Sequence, residues 1–276
     1  MRLSLKTLPG RLRWQYKTKA PWIVARLIKL FHGLPQVDWP RDSKRERVLD
    51  PLLDDICLPP YFAATDQDDY AALMSVVAVL QPAVVLELGT AYGNTVANIS
   101  RHCPTARIYT VNALAEEQTG EATTFVLGRN EIGRVYRKYG FESHVTQIFS
   151  NTLTLDLSTY LSKPVVDLAI IDACHDPEYV LNDFRKVVPF LSERGVVMLH
   201  DTHPSMQAHL IASYRACMAL RKLGFDIRHL KNTWWAIWLD WKAADHPLRA
   251  FWGQADRDYR TRKGLILSAK ETLQEL

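Results

Sequence analysis

Cysteine is scarce and scattered in this chain. Cys57, Cys103, Cys174 and Cys217 are the four among 276 residues, and no two form a CxxC pair. Neither a zinc knuckle nor a disulfide framework is indicated, and a reducing cytoplasm fits. Long apolar runs are missing too. The opening "MRLSLKTLPGRLRW" has no stretch long enough for a signal peptide, and "PWIVARLIKLFHG" is broken by Arg26 and Lys29 and too short to span a bilayer. Neither GxGxxG nor GxxxxGK[ST] occurs, which argues against the usual pyrophosphate-binding loops. No internal repeat and no low-complexity block is present.

What is there is globular composition, 47% hydrophobic and 23% charged, with eight Trp and eleven Tyr to build a core. The charge is unevenly placed. Residues 1–50 hold twelve Lys/Arg against four Asp/Glu, so +8, which leaves −4 on the remainder of a chain whose net charge is +4. A basic arm on a mildly acidic body suits an anionic surface or partner, and is equally what a solvated N-terminus looks like. The segment at 21–33 has the make-up of an amphipathic helix, lying on a membrane or on its own domain. Residues 33–65, with five prolines and the run "RDSKRER", read as an irregular connector.

After the connector the rhythm is regular. Asp66 or Asp68 is placed to cap a helix running to Pro82. Strands are expected at 83–89, 107–112, 144–150, 166–172 and 195–201, and helices near 93–102, 129–139, 177–191 and 205–222. "FDIRHL" and "WWAIWLDW" follow as a strand pair around "KNT". Short apolar strands alternating with helices predict an α/β fold, a Rossmann-like, doubly wound, mostly parallel sheet covered on both faces. Ligands in such sheets bind at the carboxyl ends of the strands. Acids, amides and imidazoles cluster at those ends here: Glu87 to Thr95, Asn112, Ser150–Asn151, Asp172 to His175, and His200 to His203.

The stretch "VVLELGTAYGNTVANIS", 84–100, carries the sharpest pattern. A Gly just past a strand lets the backbone turn tightly and approach a ligand, and a second lets the next helix begin close by. That helix offers free N–H groups and a partial positive charge. The acid Glu87, ahead of Gly89, disfavours pyrophosphate and suits a ligand with a cationic end. By itself the spacing is also met by a plain strand–turn–helix.

Taken together, "VVLELGTAYGNT", "IYTVNA" and "VDLAIIDACHDPEYVLNDFRKVVPFLSERGVVMLHDT" resemble class I S-adenosylmethionine-dependent methyltransferases. The closest look is to small-molecule O-methyltransferases of the catechol and the cephalosporin- and macrolide-tailoring types. The resemblance spans roughly 60–240 and implies a seven-stranded sheet with an antiparallel last hairpin. It divides the chain into a basic arm and connector (1–60), a methyltransferase domain (61–242) and a helical C-terminal extension (243–276).

The resemblance also implies roles. Glu87, Gly89, Thr90, Tyr92, Gly93 and Thr95 fall on the cofactor loop. Asn112 stands where an acid normally grips the ribose, and Asn151 where an acid commonly lies near the adenine. An amide can bond a hydroxyl there, but without charge assistance. Asp172 and Asp201 match the family's metal ligands at the fourth and fifth strand ends, with His200 as the third candidate, for magnesium or a softer divalent ion. His175 coincides with the catechol type's basic residue and suits a general base. Asp172, His175 and Asp201 are thus the expected catalytic residues, and Asp172 also borders the cofactor. Tyr179 and Asp183, on the next helix, are expected to pack and to meet solvent.

The expected activity is methyl transfer from S-adenosylmethionine to a hydroxyl of a small molecule, a sugar or secondary metabolite. The alternative is a catalytically degenerate member that binds a ligand or partner, to which Asn112 and Asn151 lend support. A nucleic-acid substrate is disfavoured, because "DACHDPEY" lacks the Asn/Asp-Pro-Pro-aromatic loop of base-amine methylases. Peripheral membrane contact by the basic arm and homo-oligomer formation stay open.

Overall fold

The computed structural model describes residues 34, 36–37, 63–120, 126–162, 164–203, 212–230, 233–239 and 245–251, with the backbone alone at 36–37, 63–68 and 250–251. The basic arm before residue 34 and residues 252–276 of the expected helical extension lie outside the described residues.

Eight strands form one sheet: β1 (Gln36–Val37), β2 (Val84–Leu88), β3 (Arg107–Asn112), β4 (Val145–Phe149), β5 (Val166–Ile171), β6 (Leu191–Leu199), β7 (Arg228–Leu230) and β8 (Ala236–Leu239). Their order is β1-β7-β8-β6-β5-β2-β3-β4. The β6–β8 and β7–β8 pairs are antiparallel, and the rest are parallel. Five helices are described: α1 (Ala63–Leu80), α2 (Asn94–His102), α3 (Arg134–Lys138), α4 (Pro177–Val187) and α5 (Ser213–Lys222).

The seven expected strands are present with their antiparallel hairpin. The eighth, β1, lies inside the stretch expected to be irregular. It pairs Gln36 with His229 and Val37 with Leu230, and so covers an edge whose backbone groups would otherwise stand unpaired. Two boundaries also differ from expectation. Helix α1 begins at Ala63, so Asp66 and Asp68 sit within it rather than at its cap. Strand β6 starts at Leu191 and stops at Leu199, which leaves His200 and Asp201 in the loop past its end.

The apolar runs explain the layering. All five residues of β2 are buried, as a central parallel strand requires. One face of the sheet packs on α4 and α5 through Val180, Phe184, Ala216 and Leu220. The other packs on α1 and α2 through Leu73, Val77, Val96 and Ile99. Leu248, from the expected C-terminal extension, is wholly buried in that second layer. Phe184 meets Phe225 edge-on at 4.9 Å and Trp238 at 5.6 Å, so this tryptophan of the aromatic tail is core. Among the described residues, no helix is long and apolar enough to cross a membrane.

Phe184 has no exposed surface. Phe184→Ala is expected to cost about 3–5 kcal/mol, read as a lower urea midpoint with an unchanged slope.

Candidate active site

The loop after β2 is shaped by two close approaches. Gly89 has φ +109°, and a Cβ there would lie 2.0 Å from the Asp172 carbonyl oxygen. Gly93 has φ +84°, and a Cβ there would lie 2.7 Å from the Tyr136 ring. Only glycine meets both demands. The backbone N–H groups of Gly89 and Thr90 both donate to Val111 O, at 2.8 and 3.1 Å, while Asp172 N–H donates to Leu88 O at 2.8 Å. Strands β3, β2 and β5 are thus stitched together past their ends, and the loop is carried alongside Asp172.

Asn112 braces the same loop. Its Oδ1 accepts from Ala91 N–H at 2.9 Å, at a residue held at φ +44°, and its Nδ2 donates to Ala113 O at 2.8 Å. Asn151 ties down the opposite wall. Its Nδ2 donates to Glu117 O at 2.7 Å and to Thr119 Oγ1 at 3.2 Å, and Thr119 in turn bonds the Tyr179 hydroxyl. Between these walls, past β3, β4 and β5, lies a small open cleft of about 50 Å³, with Asn112, Asn151, Cys174 and Tyr179 in its lining. Lys186 ties down the 152–155 segment, whose Thr152 lines the cleft, by donating to the carbonyls of Thr152, Leu153 and Leu155 at 2.6–2.7 Å. Asp183, expected to meet solvent, is wholly buried beside it. Burial pushes its carboxyl up to about 6, against the pull of Thr152, Asn182 and Lys186.

Tyr92 stacks its ring under the Arg134 guanidinium at 4.2 Å, so the aromatic is held by α3. Glu87 is buried beneath the loop. Thr110 Oγ1 donates to its Oε2 at 2.5 Å and bonds Thr90 Oγ1 at 2.7 Å. Burial raises the Glu87 carboxyl to about 8, with Thr110 and Thr95 bonding it and Asp172 repelling its charge. Burial thus favours the protonated form of Glu87.

Asp172, His175 and Asp201 converge past β5 and β6, with one donor atom from each lying within 4.8 Å of the others. His175 Nε2 lies 3.4 Å from Asp201 Oδ2, and its Nδ1 faces Ser213 Oγ at 3.5 Å. Asp201 takes a positive φ of 53°, which turns its side chain back toward the cluster. His200 has a different position from the one its sequence neighbours suggested. Its Nδ1 faces Asp172 Oδ1 at 3.2 Å and Asp201 Oδ1 at 3.5 Å, and its Nε2 faces Asp69 Oδ2 at 3.3 Å. Burial opposes a charge on this ring, but Asp172 and Asp201 outweigh it and hold the imidazolium well above its usual range. Both ring nitrogens of His200 thus face carboxylates, and the set that converges within 4.8 Å is Asp172, His175 and Asp201.

Asp69 and Ser213 were missed by the sequence reading. The signal for Asp69 was periodic: it stands three and four residues before the buried Ala72 and Leu73, on the face continued by Val76 and Val77.

Residues 86–202 match the profile of a family described as a methyltransferase domain. That segment is similar to a methyltransferase domain. No curated protein matches the chain. Among solved structures, the chain is similar to an O-methyltransferase from Bacillus cereus in complex with SAH, at 14% identity, covering 85% of this chain and 98% of that one, TM-score 0.47. It is also similar to the SAH-bound methyltransferase PaMTH1 of Podospora anserina, at 16% identity, covering 73% and 98%, TM-score 0.47. The O-methyltransferase TomG of Streptomyces achromogenes, in complex with SAM, is similar at 15% identity, covering 72% and 89%, TM-score 0.44.

The Glu87 carboxyl sets a pH dependence. Its folded value of about 8 exceeds its ordinary 4.5, so between those values the folded state keeps a proton that the unfolded state releases. Stability then falls as pH rises through that window, by about 1.4 kcal/mol per pH unit at most, and levels off above it. Glu87→Gln is expected to remove that slope, measured as melting temperature from pH 5 to 9.

Proposed function

We propose that this domain transfers a methyl group from S-adenosylmethionine to a hydroxyl of a small molecule in the cytoplasm. The observation that carries the reading is the convergence of Asp172, His175 and Asp201 past β5 and β6, beside a loop whose glycines permit close approach. Nothing about this site calls for a nucleic-acid substrate. Three of the cysteines, Cys103, Cys174 and Cys217, are free and buried, in keeping with a reducing compartment.

The residues fit the cofactor. Asn94 Oδ1, at the start of α2, is buried without a hydrogen-bond partner, and an ammonium group would satisfy it. Glu87 can lose its proton when a cation settles beside the loop, because its raised value keeps it poised near neutrality. The bound sulfonium supplies an already activated methyl group. The chain supplies position and proton removal. Asp172, with 28% of its side chain exposed, is the open carboxylate of the set and orients the acceptor hydroxyl. His175, backed by Ser213, accepts its proton.

The same three donors fit a divalent ion, which would lower the hydroxyl's pKa. Two carboxylates and one imidazole suit manganese or another transition ion at least as well as magnesium. The two roles of His175 exclude each other, since Nε2 cannot hold an ion and take a proton at once. A catalytically degenerate protein is the second reading. It is favoured by Asn112 and Asn151, whose amides are already spent on the backbone.

Calorimetry with S-adenosylmethionine and S-adenosylhomocysteine is expected to show binding of both. No heat from either at millimolar concentration would end the proposal. On a panel of hydroxyl acceptors, Asp172→Asn is expected to lower kcat by about 10²–10⁴ and to leave S-adenosylhomocysteine binding intact. Loss of turnover in EDTA, restored by manganese, assigns His175 to the ion; turnover indifferent to EDTA assigns it the proton.

A further inference from the structure

Asp69 lies outside the segment that matches the methyltransferase family, on α1, yet it reaches the acid cluster. It is 5% exposed, and three of its atoms are engaged. Oδ1 accepts from the Trp234 backbone N–H at 2.8 Å, Oδ2 faces His200 Nε2 at 3.3 Å, and its backbone carbonyl accepts from Trp235 Nε1 at 3.1 Å. The His200 ring packs on the Trp235 ring at 4.2 Å.

We propose that Asp69 is a positioning residue for the acceptor-binding cluster, fixing the side chains of Asp172 and Asp201 through the His200 ring. The inference rests on the reading of Asp172 and Asp201 as the acceptor-facing pair. Two routes run from Asp69 to that pair. One is the ring: with Nε2 held by Asp69, Nδ1 is aimed between Asp172 Oδ1 and Asp201 Oδ1. This leaves the second oxygen of Asp172 for a ligand, while Asp201 Oδ2 faces His175 Nε2 at 3.4 Å. The other is the Trp234 backbone. Its N–H is held by Asp69, and its carbonyl accepts from both the N–H and the Oγ1 of Thr202 at 2.9 Å, which anchors the chain directly after Asp201.

The chemistry needs a carboxylate at this position. An amide would still accept from Trp234, but its NH₂ would then face the His200 N–H, donor against donor. A purely structural cap on the Trp234 turn would be served by asparagine. A carboxylate buried at this depth also costs several kcal/mol unless a partner offsets it, and His200 is the partner present. The arrangement parallels the outer carboxylates that orient metal-bound imidazoles, with the ring here orienting two acids.

The test uses the full chain labelled with ¹⁵N-histidine. In the wild type Nε2 of His200 should carry a proton hydrogen-bonded to Asp69; a bare Nε2 overturns the proposal without any variant. In Asp69→Asn the Nε2 bond should be lost. Manganese affinity, followed by electron paramagnetic resonance, should weaken about 10–100-fold, while S-adenosylhomocysteine binding changes by less than twofold. In a His200→Gln background, Asp69→Asn should add nothing further. An Asp69→Asn protein with wild-type ring signals and wild-type manganese affinity overturns the proposal. Wild-type protein that binds neither manganese nor S-adenosylhomocysteine overturns the functional reading instead, and the ring signals still decide the role of Asp69.

Discussion

The contact between Gly89 and the Asp172 carbonyl is the constraint on which the site depends. The turn after one strand is pressed against the end of its neighbour with no room for a side chain. The loop that would hold a cofactor and the first acid that would meet an acceptor are therefore one unit. Neither can move without the other, since the hydrogen bonds of β3, β2 and β5 continue past the strands into both. Transfer between two bound molecules needs that kind of fixed spacing, because orientation is what the protein contributes when the reagent is already activated.

Charge is arranged around this unit in two tiers. Beneath the loop, burial favours the protonated form of Glu87, which Thr110 bonds, so the resting protein does not bury an unpaired anion. At the rim, three carboxylates meet one imidazolium, and the remaining negative charge faces outward.

Much of the fold was legible. The apolar runs from Val84, Arg107 and Val166 mark strands because each is short, β-branched and bounded by turn residues. What lay beyond reach depended on contacts distant in sequence. β1 exists only because the β7 edge is there to receive two residues. Asp69 looks like one acid among several at a helix start, and its partner is 131 positions away. The residue types at the strand ends were readable, but their pairing was not. His175 and His200 are equivalent on paper, and only packing shows that one meets Ser213 while the other is taken up by three acids. Asn112 and Asn151 showed their departure from the family pattern, and the structure adds what each amide holds.

Lys186 has a wider consequence. Its ammonium gathers three backbone carbonyls of the segment whose Thr152 lines the cleft. That segment borrows its rigidity from a helix side chain instead of from the sheet. The slot above keeps its width before any ligand arrives, so the entropy of shaping it is spent during folding and not at each encounter.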